Sequence, residues 1–101
     1  MKLLTKAQRE KLIRNHAENE NATEPKEHKV VVKLFNPVGM GTWYLTELNP
    51  YTEMAFGLCE ITEKEIGYVS LTELEELRLP MGLKIERDRY SKIDKTLEEL
   101  L

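Results

Sequence analysis

The chain has 101 residues, of which 41% are hydrophobic, and its 15 basic and 18 acidic side chains give a formal net charge of −3. This length fits one domain, the hydrophobic fraction is too high for a disordered chain, and the acidic balance excludes a generally basic nucleic-acid-binding domain. No apolar run reaches the roughly 18 residues of a membrane span and charges closely follow the first four residues, which predicts a cytoplasmic protein without a membrane partner.

The first predicted element is an N-terminal helix within residues 1–22. Thr5 and Gln8 have the spacing of a capping box, in which each side chain accepts a hydrogen bond from the other residue's backbone N–H. Asparagine residues and then Pro25 end the helix, so residues 23–29 are predicted to be a linker. The apolar stripe of the helix, at helical spacing, consists of Leu12, Ile13, His16 and Ala17.

Four strands are predicted next, because runs of β-branched and aromatic residues alternate with turn residues. These strands comprise residues 30–35, 42–48, 53–61 and 65–69. Their connections are too short for parallel crossovers, so neighbouring strands should pair antiparallel. Gly57, inside the third strand, indicates a bulge or a close backbone contact.

A short helix is predicted directly after the fourth strand. Ser70 and Glu73 have the capping-box spacing that begins such a helix. Residues 83–88 could form a fifth strand, and residues 96–99 indicate a closing helical turn. The residues of the short helix expected to face inward are Leu71, Leu74 and Leu77.

This order of elements predicts an α+β fold with a mostly antiparallel meander of four to five strands. An N-terminal helix precedes the meander and a short helix follows strand four. Alternating βαβ units are not found, so a doubly wound parallel sheet is not expected. A single domain over residues 1–101 would then hold the helix, the linker, and the sheet with its C-terminal segment from residue 30 onward.

Four strings of the sequence resemble an uncharacterised bacterial family of small proteins, a domain of unknown function. The strings lie at residues 43–48, 55–59, 66–74 and 86–88, and the similarity extends from Leu4 to about Asp94. The resemblance implies a compact α+β domain. Similar proteins are often carried by plasmids, phages and integrated elements, some beside anti-restriction-type domains, which implies an accessory role. The connection at residues 62–64 is shorter than the Gly-rich one expected of the family.

No catalytic, metal or cofactor site is predicted from the remaining motifs. His16, His28 and Cys59 are scattered and do not have the spacing of zinc ligands. Ser70 is explained by its capping role, since it does not lie in a nucleophile elbow. Cys59 has apolar neighbours and is expected to be an unreactive, buried thiol.

The strongest candidate site is the run Glu86, Arg87 and Asp88. On a strand, Glu86 and Asp88 would share one face, with Arg87 on the other. Two carboxylates on one face could bind a divalent ion together with Glu47, which is the basis for an alternative function as a small metal-dependent hydrolase or nuclease. A solvent-facing charge run or an ion-pair network explains the same residues without a site.

Arg87 has a structural role in that second interpretation. A strand packed near the short helix would point Arg87 toward Glu73 and Glu76. The planar guanidinium is suited to a bidentate bond with one of these carboxylates. The sequence therefore predicts an ion pair that ties the C-terminal segment to the helix.

Two further surfaces are candidates for binding. Trp43 and Tyr68, near Glu47, could form a stacking surface for a base or a peptide, although aromatic residues equally form a core. The basic N-terminal helix could contact nucleic-acid phosphates. The basic residues begin at Lys2, and the candidate contacts are Lys6, Arg9, Lys11 and Arg14.

These patterns favour a non-enzymatic accessory or adaptor protein of bacterial mobile DNA that binds another macromolecule. Another protein is the expected partner, and no cofactor is expected. The two alternatives are the metal-dependent hydrolase described above and a nucleic-acid-binding module that uses the basic helix.

Overall fold

The computed structural model describes residues 3–90 and 92–101 and shows the predicted α+β fold. Five strands form one sheet in the order β4-β3-β2-β1-β5, and every neighbouring pair is antiparallel. The strands are β1 Val32–Phe35, β2 Thr42–Asn49, β3 Met54–Glu60, β4 Lys64–Ser70 and β5 Glu86–Arg87. The helices are α1 Lys6–Glu20, α2 Leu71–Glu76 and α3 Leu97–Leu100, with a 3₁₀ turn at Pro80–Gly82.

Helix α1 begins at the predicted capping box. The Thr5 side chain accepts from the Gln8 backbone N–H at 3.1 Å, and the Gln8 side chain accepts from the Thr5 N–H at 3.0 Å. The first two residues of the predicted helix, and residue 91 of the predicted C-terminal segment, lie outside the described residues. None of the helices in residues 3–90 and 92–101 is long and apolar enough to cross a membrane.

The main core lies between the sheet and the layer formed by α1, α2 and the N-terminal segment; we call this side of the sheet the α1 face. Leu77, predicted to face inward, is exposed instead. The reason is that α2 ends at Glu76, and Leu77 has the extended backbone of its C-cap. The buried residues of this core include Leu12, Val32, Leu34, Trp43, Leu45, Leu48, Leu71, Leu74 and Ile85.

A β-bulge interrupts the pairing of β2 with β3. Leu45 pairs with Gly57 and Glu47 pairs with Phe56, so Thr46 is the extra residue on β2. A Cβ at Gly57 would lie 2.0 Å from the Tyr44 carbonyl oxygen. The close backbone contact predicted from Gly57 is therefore confirmed.

The C-terminal segment covers part of the opposite face of the sheet. Its contacts with the chain before β1 include a hydrogen bond from the Val30 N–H to the Lys95 carbonyl oxygen at 2.9 Å. Helix α3 confirms the helical turn predicted at residues 96–99, and the structure adds a capping box between Thr96 and Glu99. A second apolar cluster results, and it consists of Val30, Leu58 and Leu97 with the partly buried Tyr44, Phe56, Ile93 and Leu100.

Candidate functional site

A groove runs along the free edge of β5, which pairs with no strand other than β1 in the described part of the chain. We call this the β5 groove; its volume is about 630 Å³ and its lining comprises Leu3, Phe35, Glu75 and residues 82–90. Glu86 pairs with Phe35, and Arg87 pairs with the core residue Leu34. The side chains of Glu86 and Arg87 therefore lie on opposite faces of the sheet, and the groove follows the free edge of β5 that separates these faces.

The free edge of β5 leaves the backbone N–H and C=O of one residue unpaired among the described residues. The Asp88 N–H donates to the Lys33 carbonyl oxygen at 2.9 Å. Because inward and outward peptide groups alternate along an antiparallel pair, the N–H and C=O of Arg87 point away from β1. No described residue hydrogen-bonds to this peptide group.

The two acids of the predicted run differ in their surroundings. Asp88 is largely buried, with its Oδ2 3.6 Å from the Lys33 Nζ, and its Oδ1 accepts from the Tyr90 N–H at 2.9 Å. The Lys33 ammonium also lies 5.8 Å from the centre of the Tyr44 ring. Glu86, by contrast, is exposed and forms no ion pair with a described residue. Asp88 is thus part of the fold, whereas Glu86 is available at the surface.

Arg87 holds the N-terminal segment rather than α2. Its Nη1 donates to the Leu3 carbonyl oxygen at 2.6 Å, while the Leu3 N–H donates to the Glu75 Oε2 at 3.2 Å. The predicted ion pair with Glu73 or Glu76 is wrong, since the guanidinium bonds to this backbone carbonyl instead and no ion pair joins Arg87 to either carboxylate among the described residues. The backbone of Leu3 lies between β5 and α2 and bonds to both.

Replacing this guanidinium is expected to weaken the fold. Arg87→Ala should lower the free energy of unfolding by about 1–2 kcal/mol, because the Leu3 carbonyl then loses a charged, partly buried donor. Arg87→Lys should restore part of the loss, since an ammonium can reach one carbonyl but has no planar fork. Chemical denaturation of the purified variants measures both values.

Arg89→Ala is the matched control, because Arg89 is exposed and has no ion-pair partner among the described residues. It should unfold at the same denaturant concentration as the parent. Equal effects of the Arg87 and Arg89 substitutions would contradict the role assigned to Arg87.

Glu47 does not join Glu86 and Asp88. Its carboxylate lies against α1, where the Asn19 Nδ2 donates to its Oε2 at 2.9 Å and the His16 Nδ1 lies 3.9 Å from its Oε1. No group of three or more His, Cys, Asp and Glu side chains that could hold a metal ion exists within residues 3–90 and 92–101. The three carboxylates predicted to share a divalent ion are therefore not brought together.

The predicted aromatic surface is also divided between the two faces of the sheet. Trp43 is buried in the core on the α1 face. Tyr68 pairs with Phe56 on the opposite face, with ring centroids 5.1 Å apart, and is 71% exposed. Trp43 and Tyr68 cannot stack on one ligand, because strand alternation separates them.

The basic residues of α1 do not form a continuous basic surface. Arg9 forms a bidentate bond with Glu53 at 2.9 and 2.6 Å, and this bond lowers the pKa of the Glu53 carboxyl. Arg9 thereby ties α1 to the turn between β2 and β3. The other three predicted contacts, Lys6, Lys11 and Arg14, are exposed among the equally exposed Glu10, Glu18 and Glu20.

Cys59 has the environment expected of an unreactive thiol. It is half-buried, and burial raises the pKa of the thiol, with a smaller contribution from Glu65. A hydrogen bond with Trp43, its cross-strand neighbour, opposes that shift. A thiol with a raised pKa has less of the nucleophilic thiolate at neutral pH.

Three further groove residues have exposed functional groups and were not predicted from the sequence. Lys84 and Arg89 are exposed cations without an ion pair among the described residues. Tyr90 is 96% exposed. Their position in the sequence, close to Glu86 and Arg87, was the signal that could have identified them. Local periodicity was no help, because it does not distinguish an exposed tyrosine from a packed one.

Comparisons with known proteins identify a family but no activity. Residues 3–101 match the family described as "Protein of unknown function (DUF2958)". This match confirms the resemblance indicated by the four sequence strings. No curated protein and no solved structure matches the chain.

Proposed function

Because the chain belongs to the DUF2958 family, whose function is unknown, we propose a function from its own geometry. The protein is a non-enzymatic accessory protein that binds an extended, acidic segment of another protein in the β5 groove. The observation that carries this proposal is the free edge of β5, where the outward peptide group of Arg87 lies among exposed apolar and cationic side chains.

The backbone of β5 supports an extended ligand. An added strand would bond to the outward N–H and C=O of Arg87, as in other cases of strand addition to a free sheet edge. Apolar side chains of such a ligand would contact Leu83 and Tyr90, which are both exposed and line the groove. Met81, two residues before Leu83 in the sequence, is also exposed and has a positive φ of 63°.

The charges of the groove support an acidic ligand. Arg87, Glu75 and Asp88 already have partners inside the fold. The exposed groups without ion pairs among the described residues are Lys84 and Arg89, opposed only by Glu86. A segment with carboxylates beside an apolar residue would therefore complement the groove.

We place this binding in bacterial mobile DNA, as an accessory step of a plasmid, phage or integrated element. The family resemblance supports this setting. Gene neighbourhood tests it: genes for conjugation, phage or defence functions beside this gene are expected, and a consistent setting in ordinary metabolism would contradict it.

Site-specific photo-crosslinking in the native host tests the binding itself. A photoreactive phenylalanine analogue at position 90 should give a discrete protein adduct, whose cross-linked segment, mapped by mass spectrometry, is acidic. Tyr51 is the matched control, because it is 91% exposed and lies in the turn after β2; the same analogue there should give no such adduct. Lys84→Glu combined with Arg89→Glu should remove the adduct at position 90.

Three outcomes would contradict the proposal. The first is no adduct at position 90, and the second is the same adducts at positions 90 and 51. The third is an adduct that nuclease treatment degrades, which would support the nucleic-acid alternative instead.

A further inference from the structure

The edge of the sheet opposite β5 is formed by β4, which is longer than β5. All seven residues Lys64–Ser70 pair with β3, and no other strand in the described residues pairs with β4. On the face opposite α1, Ile66 is 43% exposed and Tyr68 is 71% exposed. An exposed edge of this length favours pairing with another strand.

The outward backbone groups of β4 coincide with these exposed side chains. The Leu71 N–H donates to the Glu53 carbonyl oxygen at 2.9 Å. This bond continues the β3–β4 register. Counting back from Leu71 along β4, residues whose backbone groups bond to β3 therefore alternate with residues whose backbone groups point away from β3. The N–H and C=O of Ile66 and Tyr68 therefore belong to the outward set, available to a further strand.

Gly67, at the centre of β4, is not required by the fold. Its φ lies outside the left-handed region, and a Cβ there would meet nothing within 4 Å. Its cross-strand neighbour Gly57 is the opposite case, because a Cβ would lie 2.0 Å from the Tyr44 carbonyl oxygen. A glycine inside a strand can mark a position that another backbone approaches, and because nothing lies within 4 Å of its Cβ position, a longer side chain also fits there.

We propose that a second copy of this chain pairs antiparallel with β4 about a two-fold axis at Gly67. Residues that pair across antiparallel strands share a face of the sheet. The two-fold axis must therefore pass between the two copies of one residue, which pairs with itself. Of the registers that this allows, only the one centred on Gly67 pairs all of Lys64–Ser70 with its own copy.

The side chains are self-complementary in this register. Ile66 lies opposite Tyr68 of the second copy, and this apolar pair occurs twice because the interface is symmetric. Each Tyr68 also contacts its own Phe56, so the apolar contacts on this face of the sheet continue across the interface. Glu65 lies opposite Val69, and no like charges oppose each other along the paired strands.

The dimer goes beyond the proposed function and does not depend on it. β4 and β5 are at opposite edges of the sheet. Pairing through β4 gives one continuous sheet with a β5 groove at each end, so both grooves stay open. Loss of the dimer and loss of binding in the groove are therefore separate results.

Sedimentation equilibrium of the full chain up to millimolar concentration tests the association. The parent should show a monomer–dimer equilibrium, and Ile66→Lys and Tyr68→Lys should each weaken it by about tenfold or more, since each disrupts both copies of the apolar pair. Ile61→Lys is the matched control, because Ile61 is 48% exposed but precedes β4; it should associate like the parent.

Cysteine cross-linking tests the register, in a chain with Cys59→Ala. Gly67→Cys should form an intermolecular disulfide with oxidised glutathione, because residues facing each other in this type of pair have Cα atoms about 4.5 Å apart. Glu65→Cys should not, since the two copies of residue 65 would be about 14 Å apart. A parent that remains monomeric, a dimer insensitive to Ile66→Lys, or equal cross-linking at positions 65 and 67 would each overturn the proposal.

Discussion

Gly57→Ala is expected to lower the free energy of unfolding by about 3 kcal/mol, a large effect for the addition of one methyl group. The added Cβ would lie 2.0 Å from the Tyr44 carbonyl oxygen and 3.0 Å from the Leu45 Cα. Both neighbours are backbone atoms of the adjacent strand β2, so no side-chain rotation relieves the contact. The β2–β3 pairing must shift, at the position where the Thr46 bulge already distorts it.

Gly67→Ala is the matched control for this substitution. Gly67 is the cross-strand partner of Gly57, and its Cβ would meet nothing within 4 Å. Alanine there should leave stability unchanged or raise it by about 0.5 kcal/mol, because glycine loses more backbone freedom on folding. Urea denaturation at low protein concentration compares the two variants. Equal midpoints would show that the β2 backbone does not exclude a Cβ at position 57.

Asn15→Ala is expected to lower the free energy of unfolding by about 2–3 kcal/mol. Asn15 is 2% exposed, and its Nδ2 donates to the Thr46 carbonyl oxygen at 2.9 Å. Thr46 is the extra residue of the bulge, so its backbone pairing with β3 is interrupted there. Alanine would leave this buried carbonyl unpaired and leave a small cavity in the core.

Asn21→Ala provides the comparison, because Asn21 is exposed at the C-cap of α1. It should cost well below about 1 kcal/mol, since an exposed amide exchanges its hydrogen bonds with water. Thermal unfolding followed by circular dichroism measures both variants. If the two asparagine substitutions shifted the midpoint equally, the hydrogen bond to Thr46 would have no special role.

The elements that local signals determine were predictable from the sequence. The capping residues Thr5 and Ser70 begin α1 and α2 because their side chains bond backbone groups three residues away. The antiparallel meander was predictable because the connections between its strands are too short for a parallel crossover. The position of β5 beside β1 was not predictable, because the sequence pattern does not determine which free edge a distant strand will join.

The partner of Arg87 was not predictable for the same reason. Its hydrogen bond reaches Leu3, 84 residues away in sequence. The two faces of β2 were also ambiguous, because Trp43 and Tyr44 are both aromatic, and the bulge at Thr46 changes the alternation after Leu45. Asn15 was missed because it lies at a core position of the helix without being apolar.

Amide hydrogen exchange at Arg87 tests most directly whether the β5 groove binds an extended protein segment. The ligand is a synthetic peptide of the segment cross-linked at position 90. Saturating peptide is expected to slow exchange of the outward Arg87 N–H by about tenfold or more, because the added strand accepts a hydrogen bond from it. The Asp88 N–H, already bonded to Lys33, should change little. Peptide binding that leaves exchange at Arg87 unchanged and instead perturbs the amides of α1 would contradict strand addition at β5.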